Sequence, residues 1–151
     1  MNKKGVTIST MAVAIALMIF LAGFSIIFGT SSIQYSNVDK LESVIDTVTD
    51  NVNLYYLENK QYPILSGTKP VDLNSLPNDL KKQMVDLNDY ATELYVLDIE
   101  KLKIPNLEIG TSKDITNNDV FLVNEISGTV YYYKGINFRG HKVYTNIRNA
   151  R

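Results

Sequence analysis

The sequence contains no cysteine and no tryptophan, and His141 is its single histidine. The lack of cysteine excludes a disulfide framework and thiolate metal sites. A lone histidine between Gly140 and Lys142 has no adjacent nucleophile, so we expect it to be exposed rather than catalytic. The HExxH, P-loop and GxGxxG motifs are also missing. The sequence therefore gives no indication of an enzyme.

Acidic residues are missing from both ends of the chain. All 16 Asp and Glu residues lie between Asp39 and Glu125, and the residues before Asp39 carry only Lys3 and Lys4 as charges. The formal net charge of −1 argues against a dedicated nucleic-acid binder, because neutralising phosphates needs an excess of clustered cations. The C-terminal segment holds only cations, which either protect an edge strand or meet an acidic partner, wall polymer or DNA. These cations are Lys134, Arg139, Lys142, Arg148 and Arg151.

A long uncharged run follows the two N-terminal lysines. In residues 11–28 (MAVAIALMIFLAGFSIIF), Ser25 is the only polar side chain. A helix of about 20 such residues spans the hydrocarbon core of a bilayer. No cation follows until Lys40, so the positive-inside rule predicts a single pass through the cytoplasmic membrane, with the N-terminus in the cytoplasm. A cleaved secretory signal is the other reading, but the run is long and GTSSIQ is a poor cleavage site.

Beyond Gly29 the helical pattern continues as an apolar stripe with spacings of three and four residues. The stripe consists of Val38, Leu41, Ile45, Val48, Val52 and Tyr55. This spacing predicts an amphipathic helix that packs on a soluble domain, or a coiled-coil stalk. We expect it to end near Asn59, which tolerates left-handed backbone, because Pro63 cannot continue a helix. The acidic residues off the stripe are predicted to form a solvated face. They include Glu42, Asp46 and Asp50.

The remainder of the chain predicts a small antiparallel sheet. We expect a loop over 63–76, a short helix over 77–85, a β-prone segment over 93–97 and a turn from Asp98, whose side chain caps it, to Leu102. Residues 120–123 and 129–133 form two β-prone runs joined by a Gly-containing link, which predicts a hairpin. Residues 143–147 are a candidate third strand. A long helix on such a sheet is an α+β arrangement.

Neighbouring tyrosines in the run 131–133 must point to opposite sides of a strand, because side chains alternate. Tyr132 is therefore predicted to face away from Tyr131 and Tyr133. We expect one set to lie in the core and the other at an interface.

The order of these features resembles the type IV pilin and pseudopilin family. Residues 3–23 (KKGVTISTMAVAIALMIFLAG) are similar to the prepilin leader and N-terminal helix. Residues 55–63 (YYLENKQYP) resemble the helix-end motif, with Lys60 in place of the usual glycine, and residues 119–135 (DVFLVNEISGTVYYYKG) resemble the sheet hairpin. The resemblance implies a pilin-like fold with a leader, a transmembrane helix, an amphipathic extension and a globular head. These segments are 1–5, 6–28, 29–60 and 61–151.

The resemblance also implies processing and assembly. A prepilin peptidase would cut after Gly5 and leave Val6 as an N-methylated first residue, and other pilin subunits would contact the N-terminal helix in a cell-surface filament. The family usually has a glutamate where Thr10 stands. A threonine cannot supply that charge, which favours a minor subunit over a major one. The alternative is a membrane-anchored surface protein that binds a ligand or wall component and never polymerises.

Some pseudopilins hold calcium in a loop near the sheet, and residues 113–119 offer oxygen ligands of the kind that calcium takes. The candidate ligands are Asp114, Asn117, Asn118 and Asp119. The alternative is a polar turn before a strand.

Overall fold

The computed structural model describes Ile15, residues 33–89 and residues 93–146. The chain divides into two compact units, Met1–Ser36 and Asn37–Arg151. Apart from Ile15, which is helical and exposed, the predicted leader and membrane helix lie outside the described residues. Within the described ranges, no helix is both long and apolar enough to cross a membrane.

The fold is α+β, with one long helix and small antiparallel sheets, as the sequence predicts. The helices are α1 (33–59), α2 (Asn78–Asp86) and α3 (Ile99–Leu102). The strands are β1 (Leu94–Val96), β2 (Phe121–Asn124), β3 (Val130–Tyr132), β4 (Ile136–Phe138) and β5 (His141–Val143). Two short 3-10 turns, Leu73–Ser75 and Ile115–Asn117, lie in the connecting loops.

Helix α1 buries the predicted stripe. Val38, Leu41, Ile45, Val48 and Val52 are all buried, and Tyr55 is half-buried. Their spacing places them on one side of the helix. Each aliphatic side chain buried there stabilises the fold by about 1.5–3 kcal/mol relative to an exposed one. The stripe is therefore the face by which α1 packs on the rest of its unit.

The helix ends at Asn59, as predicted, but the left-handed residue is Lys60. Lys60 has a φ of 59°, and its N–H donates a hydrogen bond to the carbonyl of Tyr56 at 2.8 Å. Asn59 stays helical and its side-chain amide donates to the carbonyl of Tyr55 at 2.9 Å. The end of the helix thus places a β-carbon in a conformation that glycine adopts at lower cost.

The burial of Glu42 contradicts the prediction that the acidic face of α1 is solvated throughout. Its side chain is only 4% exposed, whereas Asp46 and Asp50 are exposed as expected. Each residue turns an α-helix by about 100°, so Glu42 follows Leu41 onto the flank of the stripe. The buried face of α1 is wider than the apolar residues alone indicate.

The main sheet has three antiparallel strands in the order β1-β2-β3. The predicted hairpin is β2–β3, in register with Val123 opposite Val130. The prediction of a third strand at 143–147 was wrong. The third strand of this sheet is β1, in which Tyr95 lies opposite Val123 of β2. Strand β5 pairs instead with β4 in a separate sheet. The chain after β5 still borders β3, because the N–H of Tyr132 donates to the carbonyl of Tyr144 at 2.7 Å.

Both faces of the main sheet are covered. One core cluster joins the α1 stripe to Phe121, Val123, Val130 and Tyr132, and the other joins Leu80 and Met84 of α2 to residues that include Val120, Leu122 and Tyr131. The neighbouring tyrosines do alternate, as predicted. The expectation that one set faces an interface was wrong, however: Tyr131 and Tyr132 are both buried and Tyr133 is half-buried, because α2 covers the second face.

One short helix forms where predicted, and the segment predicted as a turn after Asp98 is a second short helix. Helix α2 follows Pro77, as expected for a proline near the first turn. Helix α3 follows Asp98, but the side chain of Asp98 makes no capping hydrogen bond, and its Oδ1 is buried without a hydrogen-bond partner within the described part of the chain. The main-chain carbonyl of Asp98 accepts from the N–H of Lys101 instead, at 3.2 Å.

Candidate functional site

A polar cleft of about 410 Å³ opens between α1 and the turn that joins β2 to β3. Helix α1 contributes Ile45, Asp46, Thr49 and Asn53 to its lining. The opposite wall consists of residues 87–89 after α2, residues 127–129 of the turn with Val130 at the start of β3, and residues 145–146. The described lining residues include two carboxylates and no lysine, arginine or histidine.

Asp89 forms the buried floor of this cleft. It follows the end of α2, where Asn88 is left-handed (φ 52°) and the N–H of Asp89 donates to the carbonyl of Met84 at 2.9 Å. This hydrogen-bonded helix end directs Asp89 inward, where it is only 7% exposed. The position of the carboxylate is therefore set by the geometry of the helix end.

Two donors from the sheet hold the Asp89 carboxylate. Asn124 Nδ2 donates to Oδ1 at 2.8 Å, and the hydroxyl of Tyr131 donates to Oδ2. Burial, and then this hydrogen bond, raise the pKa of Tyr131 well above its ordinary value. The phenol thus remains a donor across the whole physiological range of pH, and the carboxylate is fixed on both oxygens.

Asn124 also shapes the turn beside the cleft. Its Oδ1 accepts from the N–H of Ile126 at 2.9 Å, and its main-chain carbonyl accepts from the N–H of Gly128 at 2.9 Å. Gly128 has a φ of 74°, and a β-carbon there would lie 2.8 Å from the hydroxyl of Tyr62. The turn therefore requires glycine at this position and brings it against the chain that follows α1.

The outer rim of the cleft is fixed by side chains from distant parts of the sequence. Asn146 Nδ2 donates to Asp46 Oδ1 at 2.7 Å, and the hydroxyl of Thr145 donates to the carbonyl of Val130 at 2.8 Å. Outside the lining itself, the rings of Tyr56 and Tyr62 stack with centroids 4.6 Å apart. The cleft is thus bounded by ordered groups rather than by loose loops.

The predicted calcium loop is folded as a hydrogen-bonded turn. Asp114 Oδ1 accepts from the N–H of Thr116 at 2.9 Å and caps a 3-10 turn, and Asn118 is left-handed with a φ of 61°. Asn117 and Asn118 are exposed. The hydrogen bond from the Thr116 main chain holds the pKa of Asp114 below its ordinary value. The polar-turn reading accounts for these contacts.

Asp119 binds toward the sheet rather than into that turn. Its Oδ1 accepts from the N–H of Gly110 at 2.8 Å and from the hydroxyl of Tyr132 at 2.7 Å. Burial acts to raise the pKa of Asp119, but these hydrogen bonds, with those of Thr111 and the charge of Lys134, together hold it below its ordinary value. Among the described residues, no group of three or more His, Cys, Asp or Glu side chains is placed to bind a metal. Calcium binding stays a prediction.

The basic C-terminal segment forms the β4–β5 hairpin, with Arg139 and Gly140 at the turn. The guanidinium of Arg139 lies 5.2 Å from the centre of the Phe138 ring, and His141 is exposed, as predicted.

Helix α2 covers β5, since Asp79 accepts a hydrogen bond from the N–H of Lys142 at 3.1 Å. Gln83 likewise bonds main-chain atoms of Lys142 and Tyr144. Side chains of α2, rather than cations alone, thus protect this edge. Arg148 and Arg151 lie outside the described residues.

The residues implicated in processing and assembly, Gly5, Val6 and Thr10, also fall outside the described ranges. Sequence reasoning missed the group formed by Asp89, Asn124 and Tyr131. The one local signal was Asn88-Asp89 directly after a helix, a pattern typical of a left-handed helix end. The partners of Asp89 are separated from it by 35 and 42 positions, so no local pattern indicates them.

Comparison with known proteins adds no relative: no protein-family model matches the chain, and neither does any curated protein or solved structure. The functional assignment therefore depends on the residues of this chain.

Proposed function

We propose that the chain is a minor pilin or pseudopilin, a structural subunit of a type IV pilus or of a related secretion or DNA-uptake filament. The observation that carries this proposal is the buried stripe of α1 on a small antiparallel sheet. In the sequence, that helix follows an uncharged run preceded by Lys3, Lys4 and Gly5. Together these features match what a pilin needs, which is an apolar helical anchor whose extension is fixed to a head.

The mechanism is physical rather than catalytic. Residues 6–28 hold the subunit in the cytoplasmic membrane, and they enter a bundle of similar helices when an ATP-driven machine extracts the subunit. Buried aliphatic side chains such as Leu41 and Val48 fix α1 to the sheet, so a pull along the helix is transmitted to the head. Thr10 carries no charge to pair with the amine of a neighbour, which suits a minor subunit.

The closed edges of the main sheet support assembly through the helix rather than through strand addition. On the β1 side, the N–H groups of Leu65 and Val71 donate to the carbonyls of Val96 and Leu94 at 2.9 and 2.8 Å. On the β3 side, the contact with Tyr144 described above occupies the edge. Open strand edges are the usual route to sheet-to-sheet polymerisation, and neither edge of this sheet is open over these described segments.

Surface labelling tests the proposal. Because the chain has no cysteine, a Ser66→Cys variant, altered at an exposed turn, carries one maleimide-reactive group and the parent chain carries none. In cells that express the filament system, we expect label on filaments that can be sheared from the surface. Label that stays wholly in the membrane fraction, with none on sheared filaments, contradicts the proposal.

The second candidate is a membrane-anchored surface protein that binds a ligand and does not polymerise. The polar cleft beside α1 is the observation that favours it, since a filament subunit has no need of such a cleft. The two candidates differ at the N-terminus, because a plain anchor is neither cut after Gly5 nor methylated at Val6.

A further inference from the structure

We propose that the cleft between α1 and the β2–β3 turn binds a saccharide without acidic substituents. This inference goes beyond the filament proposal and holds whether or not the chain polymerises. It rests on the size of the cleft, the chemistry of its walls, the fixed positions of its polar groups and the tyrosine pair close to Gly128 of its lining.

The volume of about 410 Å³ falls in the range of small-molecule sites, which measure roughly 300–1,000 Å³. Such a space admits a small ligand rather than a segment of folded protein. The cleft also lies at the junction of three parts of the fold, namely α1, the end of α2 and the β2–β3 turn. Junctions of this kind place side chains from separate elements around one ligand.

The walls match the hydrogen-bonding pattern of sugar hydroxyls. Each hydroxyl can both donate and accept, and the lining offers carboxylate acceptors, amides that do both, and hydroxyl groups. The amide and hydroxyl side chains are Thr49, Asn53, Asn88, Ser127, Thr129, Thr145 and Asn146. Asp46 and Asp89 add negative charge, and no described lining residue offsets it with a cation. An acidic sugar would therefore be repelled, whereas a neutral or amino sugar would not.

Several of these groups are already fixed. Asp89 is held on both oxygens by Asn124 and Tyr131, and Asp46 is held by Asn146 at 2.7 Å. Each carboxylate oxygen has a further lone pair for a ligand hydroxyl. Groups that are ordered before binding lose little conformational entropy when the ligand arrives, which favours affinity.

Aromatic rings adjoin the polar walls. Tyr56 lies three residues after Asn53, one turn further along the same side of α1. The ring of Tyr56 stacks on that of Tyr62 and remains 40% exposed. The hydroxyl of Tyr62 lies near Gly128 of the cleft lining, since a β-carbon built there would be 2.8 Å from it. A tyrosine presents an apolar ring beside a polar hydroxyl, which suits the alternation of C–H and O–H groups on a sugar.

The test is titration calorimetry of the full-length chain in a detergent whose headgroup is not a sugar, since a glycosidic headgroup would compete. The probes are a neutral N-acetylglucosamine disaccharide, its deacetylated cationic form, a disaccharide containing a hexuronic acid, and a linear polyamine. We expect the neutral and cationic disaccharides to bind and the acidic one not to bind. The proposal is overturned if neither the neutral nor the cationic disaccharide binds. It is also overturned if the acidic disaccharide binds as tightly as the neutral one, or if the polyamine binds more tightly than the cationic disaccharide.

Matched variants locate the binding. The pair Thr49→Val and Asn53→Leu removes two polar groups from the cleft, and we expect at least a roughly tenfold loss of affinity from two lost hydrogen bonds. The control pair, Thr47→Val and Asn51→Leu, makes the same changes on another side of α1 and should bind as the parent does. Asn53→Asp, at an exposed position, should shift preference toward the cationic probe. A cleft pair that binds as tightly as its control overturns the assignment.

Discussion

The hydroxyl of Tyr131, in the middle of β3, donates a hydrogen bond to the carboxylate of Asp89, just beyond the end of α2. This contact joins the chain at the end of α2 to the sheet at a buried position. Asn124 of β2 donates a second hydrogen bond to the same carboxylate. Hydrogen bonds to charged groups contribute about 1.5–3 kcal/mol each. The group therefore acts both as a structural tie and as the floor of the polar cleft.

Tyr131→Phe removes this donor and leaves a buried carboxylate oxygen with one fewer partner. We expect the free energy of unfolding to fall by about 1–3 kcal/mol, measured by chemical denaturation of the full-length chain. Tyr133→Phe, the same change two residues along at a half-buried site, should alter it by less than about 0.5 kcal/mol. Equal effects of the two changes would show that the hydroxyl of Tyr131 is not structurally important.

Val48→Asp tests the packing of α1 on the sheet. Val48 is fully buried, so an aspartate there places an unpaired charge in the core, and we expect a loss of about 3–5 kcal/mol. The neighbouring substitution Thr47→Asp lies on the exposed side of the helix and should change the melting temperature little. An unchanged melting temperature for Val48→Asp would mean that this face of α1 is not buried.

Lys60→Gly tests the left-handed end of α1. Because Lys60 has a φ of 59°, glycine should relieve backbone strain and raise the free energy of unfolding by about 1 kcal/mol. Asn59→Gly is the matched control: that residue is helical, so glycine there should destabilise by roughly 0.5–1 kcal/mol. Thermal unfolding of both variants decides the point, and effects of the same sign would contradict it.

Asp119 should make stability dependent on pH on the acid side. Its pKa is held below the ordinary value of 3.8 in the folded chain, so its contribution is present above that value and is lost as the pH falls through the folded pKa. The difference in unfolding free energy between the parent and Asp119→Asn should be constant above about pH 5 and shrink as the pH falls below about 4. A difference that does not change with pH is the contrary result.

The local features of this fold could be predicted from the sequence. The stripe of α1 and the β2–β3 hairpin follow from periodicity and turn residues within short windows, so both appear where expected. The packing of α2 on the second face of the sheet could not be predicted, because no local pattern indicates that Leu80 and Met84 pack against the face that bears Tyr131. The burial of Glu42 has the same cause, since the width of a buried face depends on what packs against it.

The two candidate sites, the loop and the cleft, also differ in how far the sequence predicts them. The sequence predicts the loop around Asp114 and Asp119 either as a calcium site or as a polar turn, and its two carboxylates bond to separate parts of the chain. The cleft was not predicted, because its walls come from residues as far apart in sequence as Asp46 and Asn146, separated by 100 positions. Such a site forms only when the helix and the turn meet.

The intact mass of the chain purified from its own cells distinguishes a filament subunit from a plain membrane anchor. We expect a chain that has lost Met1–Gly5 and gained one methyl group on Val6. We also expect Gly5→Leu to leave the chain at full length, because the peptidase needs a small residue at the cut. A parent chain that still begins at Met1, or normal processing of the Gly5→Leu variant, contradicts the assignment to the pilin family.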